Sequence, residues 1–224
     1  LAEKARGMAD HFMLGLENRI VYDVVNYIEG RCRLRQALVR DKRFPELFLL
    51  PAAQTRDKNA ISVEDMARVA RETAEVVEFV LIDSPAGIEH GFRYAVAPAD
   101  LVLIVTNPEV TAVRDADRVI GLIEAEQWAP ANLIINRFKA DLVRRNEMLD
   151  SDTVVDLLAI DLVGIVPEDE RILAASNRGQ PVALEDRSPA GRAFRNIARR
   201  LNGEDVPYEA LQKQTIFQKL FGSR

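Results

Sequence analysis

The sequence predicts an α/β protein, a mostly parallel sheet flanked by helices in a doubly wound arrangement. Two observations carry that prediction. Five apolar runs recur along the chain: "ELFLL" (46–50), "FVLID" (79–83), "DLVLIVT" (100–106), "ANLIIN" (131–136) and "DLVGIV" (161–166). Each is continuous rather than alternating, as expected of strands buried on both faces. Helical patterns lie between most of them, and strand–helix alternation with short links is the signature of this fold class.

The first long helix is predicted within "SVEDMARVARETAEVV". Ser62 opens it and Asp65 stands three residues on, a variant of the capping box. Val63, Met66, Val69 and Ala70 then recur at helical spacing. After the fourth-from-last and third-from-last runs comes "VTAVRDADRVIGLIEAE", where Val113, Ala116, Ile120 and Ile123 form one apolar face. Arg114, Asp115 and Arg118 lie off that face. "LEDRSPAG" (184–191) marks a loop before the helical stretch "AGRAFRNIARRLNG", which Gly203 is expected to end. The domain plan is an α/β domain over 1–203, a linker over 204–209 and a tail over 210–224.

Composition narrows the class. The chain has 224 residues, enough for one α/β domain with a real core. With 48% hydrophobic and 29% charged residues, it has an ordinary globular balance. No apolar run reaches the roughly 18–20 residues that span a membrane. The opening "LAEKARGMADHFML" is too charged for a secretory signal and has no initiator Met, so the chain reads as a fragment or a trimmed form. A net charge of −5 argues against bulk nucleic-acid binding. Cys32 is the only cysteine, which fits a reducing compartment. His11 and His90 have no metal-ligand spacing.

In doubly wound folds, ligands bind where the carboxyl ends of the strands open into loops. Asp83, Asn107, Asn136 and Pro167 all fall at the ends of apolar runs. In "LIDSPAGIE" (81–89), Asp83 can orient a water on Mg²⁺ and Gly87 can bring a backbone N–H against a terminal phosphate. An ordinary Asp-Ser-Pro turn accounts for the same residues equally well. The partner motif, G-x-x-x-x-G-K-[ST], is not in the sequence. The glycines before Asp83 are Gly7, Gly15 and Gly30, and none is followed by Lys-Ser or Lys-Thr. The chain as it stands is therefore not expected to hold a nucleoside triphosphate tightly.

The tail "ALQKQTIFQKLFGSR" (210–224) carries Lys213, Lys219 and Arg224 and no acid. On a helix, Ile216, Phe217, Leu220 and Phe221 share one stripe. Lys219 lies on the far side, and Lys213 would snorkel from near the stripe. Two readings stand: a helix lying in an anionic membrane interface, or a terminal helix docked on its own domain. One copy would bind a membrane weakly, and two in a dimer would gain by avidity.

Several stretches together resemble the MinD family, in the ParA/MinD branch of deviant-Walker P-loop ATPases. They are "GLENRIVYDVVNYIEGRCRLRQAL", "LLPAAQTRDKNA", "LIDSPAGIEHG", "TNPEVTAVRDADRVIG", "GIVPEDERILAASNRGQPV" and "IFQKLFGSR". The likeness spans about residues 14–224. It implies a P-loop NTPase fold of the SIMIBI type, N-terminally incomplete here, because the phosphate loop with its lysines and the strand and helix around it are not in the sequence. The resemblance implies ATP and Mg²⁺ as cofactors, an ATP-dependent homodimer and slow hydrolysis stimulated at the membrane. It implies a place in the cytoplasm, peripheral on the inner face of the cell membrane. The implied partners are a division inhibitor and an activator of MinC and MinE type, with no nucleic acid.

Residue by residue, the resemblance makes Asp83 the Mg²⁺-associated aspartate and Gly87 the switch glycine. Asn136 and Arg137 resemble the pair that lies against adenine. Pro167, Glu168 and Asp169 match the loop on its other side. Arg114, Asp115 and Asp117 resemble the partner-binding helix surface. Lys213, Ile216, Phe217, Lys219, Leu220 and Phe221 match the membrane-targeting tail. Two alternatives remain: a non-catalytic membrane- and partner-binding module, and a ParA-type partitioning ATPase, which the charge and tail disfavour. Without the missing strand, the sheet is expected to expose apolar surface and unpaired edges.

Overall fold

The computed structural model describes residues 19–52, 61–84, 87–88 and 90–208. The tail that contains Lys213, Ile216, Phe217, Lys219, Leu220 and Phe221 lies outside the described residues. In chain order, the elements begin with α1 (Val24–Ile28), α2 (Leu34–Ala37), β1 (Val39–Arg40) and β2 (Phe48–Leu49). They continue with α3 (Val63–Ala74), α4 (His90–Val96), β3 (Val102–Thr106), α5 (Val110–Ala125) and β4 (Ala131–Phe138). Then come α6 (Ala140–Arg144), α7 (Ser151–Leu158), β5 (Asp161–Pro167), α8 (Arg171–Asn177) and α9 (Pro189–Leu201). The chain groups into two compact units, one of residues 1–102, 122–130 and 170–184, the other of 103–121, 131–169 and 185–224.

The first unit is built around helices. Asp23 caps α1 by accepting a hydrogen bond from Asn26 N at 2.8 Å, and the Asp23 N–H donates in return to Asn26 Oδ1 at 3.1 Å. This reciprocal box is why so short a helix starts cleanly. Val24, Val25, Tyr27, Ala37 and Val69 form the core, with Leu34, Ile61 and Met66 packed against it. Ser62 caps α3, its hydroxyl accepting from Asp65 N at 3.0 Å, as the sequence predicts. Val69 is buried, while Val63, Met66 and Ala70 are half-buried.

Two of the five expected parallel strands are not found in this unit. "ELFLL" contributes only β2, which pairs antiparallel with β1, Val39 opposite Leu49. Both β2 residues are half-buried. "FVLID" forms no strand: Phe79 is 57% exposed and Leu81 84% exposed. A strand of continuous apolar residues needs a hydrogen-bonding neighbour and a cover on each face. Among the described residues this run has no strand partner, so Asp83 does not end a strand.

The second unit holds the sheet, in the order β3–β4–β5, with β4 and β5 parallel. In β4, Leu133, Ile134 and Ile135 are buried in succession, as expected of a strand covered on both faces. β3 differs from the expectation. Its burial alternates and Val105 is 58% exposed, because among the described residues one face of this edge strand is left uncovered. The apolar face of α5 is borne out: Val113, Ala116, Ile120 and Ile123 are all buried.

Helix α9 packs directly on β5. The close approach depends on Gly164, where an added Cβ would stand 2.3 Å from Ile197 Cγ1. Gly203 ends the turn after α9 at φ +81°, a left-handed backbone that favours glycine.

Candidate functional site

The carboxyl end of β4 is irregular. Ile135 pairs with Ile165 and Phe138 with Pro167, so three steps along β4 match two along β5. That is a β-bulge with one extra residue. The apolar pattern requires it: Ile135 and Phe138 are both buried, and two polar residues stand between them. The bulge turns Asn136 half out and Arg137 fully out. Arg137 sits at φ +55°, a left-handed conformation that costs a non-glycine residue about 1–2 kcal/mol.

Arg137 is held there from the facing loop. Its Nε donates to Glu168 Oε2 at 2.9 Å and its Nη2 to Glu168 Oε1 at 3.3 Å. The Glu168 N–H donates to Phe138 O at 3.0 Å, which ties the loop to the strand end. The hydrogen bond from Arg137 holds the Glu168 carboxyl below its ordinary range, with burial acting weakly against it. The same bond raises the Arg137 pKa. The two side chains are 60% and 34% exposed, and an ion pair that wet contributes little to stability. Stability therefore does not explain a strained Arg at this point, and strain of this kind concentrates at functional positions.

Asp169 points the other way. Its Oδ2 accepts from Ser188 Oγ at 2.6 Å and from Ala190 N at 3.4 Å. The buried Ser188 in turn caps α9, its Oγ accepting from Gly191 N at 2.9 Å. Glu168 thus aims Arg137, while Asp169 anchors the loop to a helix. Sequence reasoning missed Ser188 as a partner. The Ser-Pro start of α9 was legible, but nothing local pairs residue 188 with 169. Glu109 and Lys139 were missed as well. Both lie close enough to act electrostatically, Glu109 on Arg137 and Lys139 on Glu168.

Five of the sequence-derived residues, Asn136, Arg137, Pro167, Glu168 and Asp169, therefore gather at the carboxyl ends of β4 and β5. Pro167 is the last residue of β5. Asp83 and Gly87 belong to the other unit. Asp83 is exposed rather than packed in hydrocarbon. Gly87 stands at φ +98° with open space where a Cβ would project, so its amide can be approached closely. On α5, Arg114, Asp115 and Asp117 are all exposed. Asp115 pairs with Arg118 at 3.6 Å with both side chains over three-quarters exposed, a solvated charged face.

The residues present fit one side of a nucleotide. An amide, a guanidinium and a proline at the strand ends offer a hydrogen-bonding edge and an apolar wall for a planar base. For the phosphate side, the 224 residues themselves contain no Gly-x-x-x-x-Gly-Lys loop.

No family model matches the chain. Individual proteins do. The septum site-determining protein MinD of Bacillus subtilis is 48% identical over 204 residues, covering 90% of this chain and 76% of the relative. Among solved structures, the MinC:MinD cell division protein complex of Aquifex aeolicus superposes with a TM-score of 0.82 at 44% identity, covering 89% of this chain and 80% of that one. The MinD of Pyrococcus horikoshii complexed with Mg-ADP gives 0.73 at 22% identity, covering 86% and 77%, a likeness of fold. With nearly half its residues shared over nine-tenths of its length, this chain belongs to the MinD family of septum site-determining proteins.

Proposed function

We propose that the chain acts in division-site selection as a membrane-associated scaffold, and that its strand-end bulge recognises the base of an adenine nucleotide. The left-handed Arg137 clamped by Glu168 carries the second half of this reading, since it is strained without a stabilising return. Asn136 would hydrogen-bond the base edge, Arg137 would lie against its face and Pro167 would close the other side. No hydrolytic step is assigned to this chain, because the phosphate-holding loop is not among its residues.

The exposed Arg114, Asp115 and Asp117 face of α5 is proposed to dock an inhibitor of MinC type and an activator of MinE type. That MinC partners MinD in the A. aeolicus complex supports the first. Residues 210–224 are proposed to lie in an anionic inner-membrane surface from the cytoplasmic side, with avidity from a homodimer.

A base-edge site without a phosphate loop has a distinct binding signature. By calorimetry with Mg²⁺, AMP, ADP and ATP should bind weakly and alike, Asn136→Ala and Arg137→Ala should weaken all three equally, and no phosphate should be released. ATP binding far above AMP, or binding indifferent to both substitutions, removes the base-edge reading. For the tail, residues 210–224 fused to an inert carrier should co-sediment with anionic vesicles. Failure to do so removes the membrane reading.

A further inference from the structure

Among the described residues, β5 is an outer strand of the sheet, with β4 as its one strand neighbour. An apolar strand in that position is a template for another chain, because its open side carries unpaired N–H and C=O groups. Side chains meet it here. Arg200 Nη1 donates to Val163 O at 2.8 Å, and the Tyr208 hydroxyl donates to Leu162 O. An irregularity in the sheet accompanies these two consecutive acceptors. Leu133 pairs with Leu162 and Ile134 with Gly164, so Val163 is the extra residue of a second bulge.

The two donors are held by a strap. After Gly203 the chain turns back, and Arg200 Nε donates to Val206 O at 2.9 Å and Nη2 to Pro207 O at 3.0 Å. The guanidinium carbon stands 4.2 Å from the centre of the Tyr208 ring, a stacked cation–π contact. Val206 is buried, and Arg199 pairs with Glu204 at 2.8 Å, which ties the start of the strap to the same helix. One guanidinium therefore joins two carbonyls of the strap to one of the strand. Only arginine has enough donors in a fixed plane to do so. The strap does not extend the sheet: residues 204–208 form no strand, and Pro207 has no N–H to donate. Pro167 ends β5 with the same lack of a donor.

A second copy of the chain offers a strand that matches this edge. Laid antiparallel about Gly164, β5 meets its own image with Val163 opposite Ile165 and Leu162 opposite Val166, apolar against apolar. Asp161 then falls opposite Pro167, so the two carboxylates do not face each other.

We propose that residues 204–208 are a guard strap on β5, latched by Arg200 and Tyr208, that keeps this edge from pairing with β5 of a second copy. Closed, the strap uses acceptors that an added strand needs. Opened, it turns the edge into a self-association site. Tyr208 is 49% exposed and makes one bond to the strand, so it is the weaker half of the latch.

The test follows hydrogen exchange of the 161–166 amides in the full chain as concentration rises, well below the melting temperature. Leu81→Lys and Val105→Lys are present throughout, so that exposed apolar side chains elsewhere do not drive association. With the strap intact, exchange should not depend on concentration. Arg200→Ala should slow it about tenfold at high concentration, with a dimer appearing in sedimentation, and Tyr208→Phe should slow it about threefold. Leu162→Lys added to Arg200→Ala sets an ammonium against Val166 of the second copy and should restore concentration-independent exchange. Association of Arg200→Ala that leaves 161–166 unprotected, or that Leu162→Lys does not reverse, makes Arg200 a folding residue and overturns the proposal. So does an Arg200→Ala chain that stays monomeric, or a strap-intact chain whose β5 amides are already protected on concentration. Where Arg200→Ala does not fold, Tyr208→Phe decides by the same protection at 161–166.

Discussion

Asp41 shows how much one buried carboxylate can organise. It is 3% exposed and accepts from the Arg43 amide at 2.6 Å, the Phe44 amide at 3.2 Å and the Arg43 guanidinium at 2.9 and 3.3 Å. Arg43 then reaches Gly179 O at 2.6 Å, bridging 136 positions of sequence. The guanidinium bonds pull the Asp41 pKa to about 2 against the opposing effect of burial. Because the folded value lies below the unfolded one, Asp41 stabilises the fold fully above about pH 4 and loses that contribution as pH falls toward 2. The stake is roughly 2–3 kcal/mol. Asp41→Asn should lower the neutral-pH melting temperature and flatten the acid limb of a stability-versus-pH curve. An unchanged acid limb would mean that the cluster forms no tighter than a solvated ion pair. Arg137 and Glu168 are the contrasting case, since their pairing is wet and contributes aim rather than stability.

At the scale of elements, helix ends show where local chemistry was sufficient and where it was not. Asp150 caps α7 by accepting from Thr153 N at 2.7 Å, but the other end closes on Ala159 at φ +52°, without the glycine such a turn favours. Ala159 is exposed and its N–H already donates to Val155 O at 2.8 Å, so nothing else holds the strained residue. Ala159→Gly should therefore raise stability by about 1 kcal/mol, read as a higher urea midpoint at unchanged slope. A lower midpoint would show that unfolded-chain entropy outweighs relief of the left-handed strain. The Ser62 cap, the apolar face of α5 and the three sheet strands were readable because each depends on spacing within a dozen residues. The bulge at Arg137 left a trace, two polar residues between Ile135 and Phe138, but its direction depends on Pro167 in another strand. Ser188 with Asp169, and Arg200 with Val163, could not be read, since side-chain chemistry fixes neither partner without the packing of α9 on β5. The run at 79–83 misled for the opposite reason: its composition describes an environment that a strand needs and cannot itself supply.

For the molecule as a whole, each unit carries apolar side chains without a cover among the described residues. Phe79 and Leu81 are exposed in one unit, and Val105 is exposed on the edge strand of the other. The chain spans 76% of its B. subtilis relative, and the sequence-based expectation of exposed sheet surface is met at Val105. An edge strand with an apolar face is a template for pairing with another chain, and native proteins blunt such edges with charge. The chain should therefore self-associate as concentration rises, seen as growing scattered light at fixed salt and temperature. Leu81→Lys and Val105→Lys should each suppress it. Neither residue has packing to lose in its exposed fraction, so each change should alter folding stability by no more than about 0.5 kcal/mol. A drop in scattering matched by a fall in melting temperature would assign these side chains to the core instead. A parent chain that stays monodisperse as concentration rises would mean that the exposed apolar run and the β3 edge are covered in solution.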